Sequence, residues 1–532
     1  MLASCSDDKP STDAAVDAGS EVGTDAASDS KLPETCTVMT KSGPVEGKVS
    51  SGHCAFLDIP YAAPPVGNLR WKPPEPPAPW TSPHDATKFG PSCSQYQANF
   101  AGVPTGPVDE DCLTLAVWTP PLGTTKKAPV MVSLHIGVFI NGGKSGAVLN
   151  GAPLAVKQGV VVVGINYRLG PLGQMAHPKL GNEMVNFGLL DQQAALSWVK
   201  DNIAAFGGDP DNVTIFGSSA GGISVCHHIV SPKSKGLFHR AIAQSGSCLT
   251  APTRADAEAY GQRVSKAVGC DTAADEVACL RAASAQDLAI KAPAELLLQY
   301  GAEHALWPFV DGVTLLEQPK DTLASGNFNK VPLLTGSNAN EATIVVAEEF
   351  LVPQPPRTLD AAGYTALLEN LFSPADAAKV VAQYDPASFG NEPIEALAAA
   401  MTDSIFTCPT RRLARAMAGA GQPVYLYHFA HTPAVLAALD AFYRATNGAE
   451  VPFVYGTQLL TPPTQDERKL SDTMMGYWAR FAKTGDPNDT SATTWPKYSE
   501  TDEKHLELTL TPAAKGALKQ AECNFWQGFS EL

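Results

Sequence analysis

The sequence has no run of 18 apolar residues, so no stretch of it is long enough to cross a bilayer as a helix. Positive charge is scarce. There are 38 Lys and Arg against 54 Asp and Glu, giving a formal net charge of −16 and a pI near 5.1. Such a balance repels nucleic acid and anionic membrane surfaces, and excludes both as electrostatic partners. The eleven cysteines contain no C-x-x-C pair, so no zinc site is expected, and no cofactor either. There is no internal repeat, and no linker-like stretch follows residue 35. What remains is a chain of 532 residues, 44% hydrophobic and 17% charged, ample for a large core.

The N-terminus is expected to lie outside that core. Leu2-Ala3-Ser4-Cys5 has the form of a bacterial lipobox, with Cys5 as the lipidated residue, and only Met1 stands where an apolar leader belongs. The segment reads as a lipoprotein start trimmed to its lipobox. Residues 6–33 hold Ser, Asp, Ala, Thr and Gly and no aromatic residue, so they cannot bury enough apolar area to order themselves. Residues 1–35 are therefore expected to form a disordered tether, and 36–532 one folded domain. Without Cys5 ten cysteines remain, and several are near one another, as in Cys36/Cys54, Cys93/Cys112 and Cys270/Cys279. An even set in an exported chain predicts disulfides.

After a Pro-rich stretch at 64–92, short apolar runs alternate with helical patterns. Pro129–Leu134, Gly159–Ile165, Val213–Phe216, Arg240–Gln244 and Val331–Thr335 read as buried strands, and Leu189–Ala204 as a helix. The alternation predicts an α/β fold with a mainly parallel sheet covered on both faces. Residues 253–300 and 355–420 are Ala-rich and helical in pattern, and are expected as insertions around one edge of the sheet. Gly217-Ser218-Ser219-Ala220-Gly221 falls between a strand and a helix. A G-x-S-x-G run in that context places its serine on a sharp turn above the sheet, so Ser219 is a candidate nucleophile.

Further segments carry a resemblance. Phe56-Leu57-Asp58-Ile59-Pro60-Tyr61-Ala62, Glu110-Asp111-Cys112-Leu113-Thr114-Leu115, Asn186–Gln192, Phe206–Pro210 and Gln244-Ser245-Gly246 are similar to motifs of type-B carboxylesterases. That α/β-hydrolase family includes the cholinesterases and bacterial p-nitrobenzyl esterases. The resemblance runs from about Gly43 to Phe529. It implies the pairs Cys93–Cys112, Cys270–Cys279 and Cys408–Cys523. Cys36–Cys54 follows by proximity, and Cys226–Cys248 is left by elimination.

The resemblance also implies a Ser–His–acid relay and an oxyanion loop. Asn338-Ala339-Asn340-Glu341-Ala342 matches the acid segment, which makes Glu341 the acid. The histidine segment matches Asn447-Gly448-Ala449-Glu450-Val451-Pro452-Phe453-Val454-Tyr455-Gly456, so Asn447 stands where the resemblance expects histidine. An amide has no useful basicity near neutral pH. No other histidine lies between residues 432 and 504, and His227, His228, His428 and His431 are expected to be structural. His135-Ile136-Gly137-Val138-Phe139 stands for the oxyanion loop, with the N–H groups of Gly137, Val138 and Ala220 as donors by position. Ile136 and Val138 replace glycines of the family pattern, and His135 is a loop-positioning residue. Ser218 also departs from the family's usual Glu, at a position taken as permissive.

The expected function is thus a carboxylic ester hydrolase scaffold, engineered or naturally impaired. The alternative is a non-catalytic ester-binding protein or a chain redesigned for another reaction. Phe139, Ile136, Leu306 and Trp307 are candidate walls of an apolar pocket. The Cys93–Cys112 loop holds Tyr96 and Phe100 but no Trp, which disfavours a quaternary ammonium substrate. Small carboxylic esters are the expected partners, a lipid anchor the only membrane contact, and a monomer the expected state. The expected location is outside the cytoplasm, as a bacterial outer-membrane lipoprotein or a periplasmic or extracellular protein.

Overall fold

Every residue of Val161–Ile165 is buried, and Val424–Phe429 is buried throughout as well. Strands that are apolar on both sides must be covered on both sides, and this dictates the layering. The computed structural model describes residues 35–96, 106–121, 127–181, 183–292, 307–458 and 461–529.

The main sheet runs through Thr35–Met39 (β1), Pro44–Ser50 (β2), His53–Pro60 (β3), Thr114–Pro121 (β4), Ala128–Leu134 (β5) and Val161–Ile165 (β6). It continues with Gly208–Ser218 (β7), Arg240–Gln244 (β8), Leu333–Asn338 (β9), Val424–Phe429 (β10), His505–Leu508 (β11) and Ala513–Lys515 (β12). Their spatial order is β1-β2-β3-β4-β6-β5-β7-β8-β9-β10-β11-β12. From β6 to β11 every neighbouring pair is parallel. β1 to β4 form an antiparallel wing that joins β6.

Side chains alternate across this sheet, and two cores result. Val130, Val132, Ile215, Ala241 and Leu333 pack with helices Phe187–Asn202, Ala220–Val230 and Cys408–Gly419. Met131, Val162, Phe216, Ile242 and Leu334 pack on the other face with helices Ala152–Gln158 and Gln465–Thr484. Thr464 caps the latter helix reciprocally with Glu467, and Gly485 ends it at φ +83. The Ala-rich segments are helical as expected, at Arg254–Ala267, Glu276–Ala282, Ala285–Lys291, Ala361–Leu371, Pro374–Gln383 and Pro393–Met401.

Residues Glu34–Leu532 make one compact unit. All five disulfides expected from the sequence are present: Cys36–Cys54, Cys93–Cys112, Cys226–Cys248, Cys270–Cys279 and Cys408–Cys523. Five bridges fit an oxidising compartment. No described helix is long and apolar enough to cross a membrane. Cys5, Phe100 and Leu306 lie outside the described residues.

Candidate active site

The site gathers at the C-terminal ends of the parallel strands. β7 ends at Ser218, and helix Ala220–Val230 begins one residue after Ser219. Ser219 joins the two at φ +56, ψ −123, a conformation disfavoured for any residue but glycine. Its neighbours hold it there. A Cβ at Gly217 would lie 2.5 Å from the Leu134 carbonyl, and one at Gly221 only 2.1 Å from it. Only glycine fits at either position. The Ser219 N–H donates to the Gln244 carbonyl at 2.9 Å, which pins the turn to the end of β8.

Glu341 follows β9 and is fully buried. Its Oε1 accepts from the Asn338 N–H at 2.6 Å, and its Oε2 accepts from Asn447 Nδ2 at 2.9 Å. The Asn447 N–H also donates to the Glu341 carbonyl at 3.1 Å. Burial, and secondly the nearby Glu450 carboxylate, push the Glu341 carboxyl up to about 8. Asn447 thus reaches Glu341 directly, but no hydrogen bond joins it directly to Ser219.

Glu450, three residues on, was absent from the sequence-derived site. It is fully buried and accepts three hydrogen bonds from three strand ends. Ser218 Oγ donates at 2.7 Å from β7, Gln244 Nε2 at 2.9 Å from β8, and Asn338 Nδ2 at 2.7 Å from β9. Ser218 is therefore not a permissive position in this chain. Its hydroxyl ties the nucleophile strand to the turn that carries Asn447. The sequence signal for Glu450 was its place in the matched segment Asn447–Gly456, just ahead of Pro452.

The loop after β5 turns sharply. Gly137 has φ +125, Val138 φ +54 and Phe139 φ +60. A Cβ at Gly137 would lie 2.1 Å from the Asn141 carbonyl, so that position demands glycine. Val138 is β-branched at positive φ, a strain of about 1–2 kcal/mol. Ile136 is not at positive φ and does not line the cleft, contrary to its expected place in the pocket wall. It precedes the turn, and its carbonyl accepts from His135 Nδ1 at 2.8 Å. His135 stacks on Tyr167 with ring centroids 4.1 Å apart, and burial lowers its pKa to about 4, so it is neutral. The N–H groups of Gly137, Val138 and Ala220 have no hydrogen-bond partner among the described residues.

A cleft enclosing about 630 Å³ of empty space, open solvent included, starts at Ser219. Val138, Phe139, Ala220, Ile223, Leu249 and Trp307 line it, and Ser245 to Thr250 form one wall. Ile405 and Phe406 also face it, from a π-helical segment, Thr402–Thr407, set between two α-helices. That wall was not anticipated, because nothing local in the sequence marks a π-turn.

The four histidines expected to be structural lie outside the cleft lining. His228 bonds Ser234 and Gln192, and His431 lies 3.1 Å from Glu467. His227 and His428 are buried with pKa values lowered to about 3 and about 4.

A parallel sheet that turns a serine outward on such an elbow defines the α/β-hydrolases, and this chain has that fold. More narrowly, it belongs to the carboxylesterase family, a family of ester-hydrolysing enzymes, which it matches over residues 34–526. It is 35% identical to the cocaine esterase of Homo sapiens, covering 95% of this chain and 92% of that protein. It is 34% identical to a medium-chain fatty acyl-CoA hydrolase precursor of Anas platyrhynchos, covering 93% and 92%. It is 35% identical to an acylcarnitine hydrolase of Rattus norvegicus, covering 93% and 91%.

Proposed function

We propose that the chain binds carboxylic esters and hydrolyses them slowly, with Ser219 as nucleophile, Glu341 as acid and Asn447 in the place of the general base. The observation that carries this reading is the 2.9 Å hydrogen bond from Asn447 Nδ2 to Glu341 Oε2. It puts the amide against the acid, where a relay histidine would sit. The elbow conformation and the unoccupied N–H groups of Gly137, Val138 and Ala220 support acyl chemistry at Ser219. Among the described residues no group is placed to take the Ser219 proton.

The mostly apolar cleft suits an acyl chain of medium length, in keeping with the name of the Anas platyrhynchos relative. A purely ester-binding role is the second reading, favoured by the same lack of a base. Rapid labelling of Ser219 by a fluorophosphonate would argue against it. The disulfides support an exported protein. The relatives named are vertebrate proteins, so a bacterial lipid anchor at Cys5 and a tether over residues 1–35 rest on the N-terminal sequence alone.

The test is Asn447→His. Restoring a base should raise p-nitrophenyl ester turnover by roughly 10⁴-fold, and Val138→Gly should add to it by relaxing the oxyanion loop. Background turnover in both the single and the double variant overturns the reading. So does fast turnover by the unaltered chain.

A further inference from the structure

The segment Gln244–Thr250 leaves the end of β8 and forms one wall of the cleft. It is fixed at several points. Gln244 Nε2 donates to Glu450 at 2.9 Å, and its Oε1 accepts from Trp478 Nε1 at 3.1 Å. The Ser245 N–H donates to the Gly336 carbonyl at 2.8 Å. A Cβ at Gly246 would meet the Ile223 nitrogen at 2.5 Å, so the backbone there lies flat on the nucleophile helix. Cys248 is bridged to Cys226 on that same helix, and both are fully buried. This bridge is not one of the three pairs implied by the family resemblance. A wall held this way offers its side chains in one arrangement.

Two hydroxyls on this wall, those of Ser245 and Ser247, are buried, and that of Ser245 lies beside the Glu341 carboxyl, which leaves Ser247. Ser247 Oγ is buried, lines the cleft and has no hydrogen-bond partner among the described residues. Around it the cleft is mostly apolar, with Phe139, Ile223, Leu249, Trp307 and Phe406 beside the hydroxyls of Ser219, Ser245 and Thr250. Buried hydroxyls in folded proteins nearly always have a partner, so this one calls for a bound group to supply it. We propose that Ser247 is a specificity-determining residue whose hydroxyl donates to an ether or carbonyl oxygen in the chain of the bound ester. The selected substrate is then a carboxylic ester with an oxygen substituent near the scissile group, not a plain hydrocarbon ester. This rests on the ester-binding reading above. The rigid wall makes the selection sharp, because the hydroxyl cannot be moved aside at low cost.

Three ethyl esters of equal chain length test it: ethyl pentanoate, ethyl 3-methoxypropanoate and ethyl ethoxyacetate. Calorimetric binding is measured in a Ser219→Ala background so that no ester is consumed. Adding Ser247→Ala should weaken at least one ether ester about five- to tenfold and leave pentanoate within about twofold. Ser247→Thr, which keeps the hydroxyl, should preserve the ether affinity. If all three esters bind and Ser247→Ala weakens them equally or not at all, the selective role is overturned and the ester-binding reading stands. If none binds, both fall.

Discussion

At the scale of single residues, Glu450 is the group on which the site's geometry converges. Its carboxylate accepts from Ser218, Gln244 and Asn338, each at the end of a different strand. Removing a buried acceptor leaves its donors unmet, at about 1–3 kcal/mol apiece. Glu450→Ala should therefore destabilise the fold by several kcal/mol in denaturant unfolding, whereas Glu450→Gln keeps one acceptor oxygen and loses less. The two carboxyls are also linked electrically, since the Glu450 charge helps hold Glu341 at about 8. Glu450→Gln should consequently lower the Glu341 pKa, as read by carbon NMR of the labelled carboxyl. An unchanged or higher value would show that burial alone sets it. Val138 poses the opposite problem. Its φ of +54 suits glycine, and Val138→Gly should relieve about 1 kcal/mol of strain, partly offset by the entropy of glycine in the unfolded chain. The strain at 138 was readable, because a β-branched residue stood in a glycine-rich pattern. The role of Glu450 was not, because it arises from contacts with residues 112, 206 and 232 positions away.

Among the elements, the strands and the nucleophile elbow could be read directly, because apolar runs bounded by glycine are local signals. The helix after Ser219 starts at Ala220, inside the G-x-S-x-G run that marked it. The Thr402–Thr407 π-segment could not be read, although two of its residues shape the cleft. Its residues have ordinary helical propensity, and its contact with β9, where Ser337 Oγ donates to Thr407 Oγ1 at 3.2 Å, joins residues 70 positions apart. Disulfides act at this scale too. Cys408–Cys523 closes a span of 115 residues and Cys270–Cys279 one of only 9. Loop-closure entropy assigns them about 5 and about 2.5 kcal/mol respectively. Replacing both cysteines of the longer span by serine should lower Tm more than the same change at the shorter one. Equal losses would mean that strain or residual structure, not chain entropy, governs both bridges.

Across the whole molecule, the pH dependence of stability follows from histidines that the chemistry does not use. His135, His428 and His505 are buried with pKa values lowered to about 4, and His227 and His228 to about 3, burial being the largest cause in each. In the unfolded chain they titrate near 6.5. Below that pH the unfolded state takes up protons that the folded state refuses. Their contribution is complete above about pH 6.5 and is lost as pH falls toward 4 and then 3. Each histidine contributes a slope of about 1.4 kcal/mol per pH unit while only the unfolded form is protonated. Glu341 has the opposite sign. Its carboxyl is raised to about 8, so its contribution is lost as pH rises from the unfolded value near 4.5 through 8. His53, His177 and His239 are lowered as well, while Asp111, Glu348 and Asp403 are raised beside Glu341. The lowered histidines outnumber the raised carboxyls, and denaturant midpoints should fall steeply from pH 6.5 to 4.5, with a shallower decline on the alkaline side. His227 is the sharpest probe, since both of its ring nitrogens lack a partner among the described residues and no hydrogen bond to them is given up on replacing it. His227→Leu should leave stability at pH 7 undiminished and flatten the acid slope by about one proton. If the slope is unchanged, His227 is protonated in the folded state at these pH values, and burial does not exclude its charge.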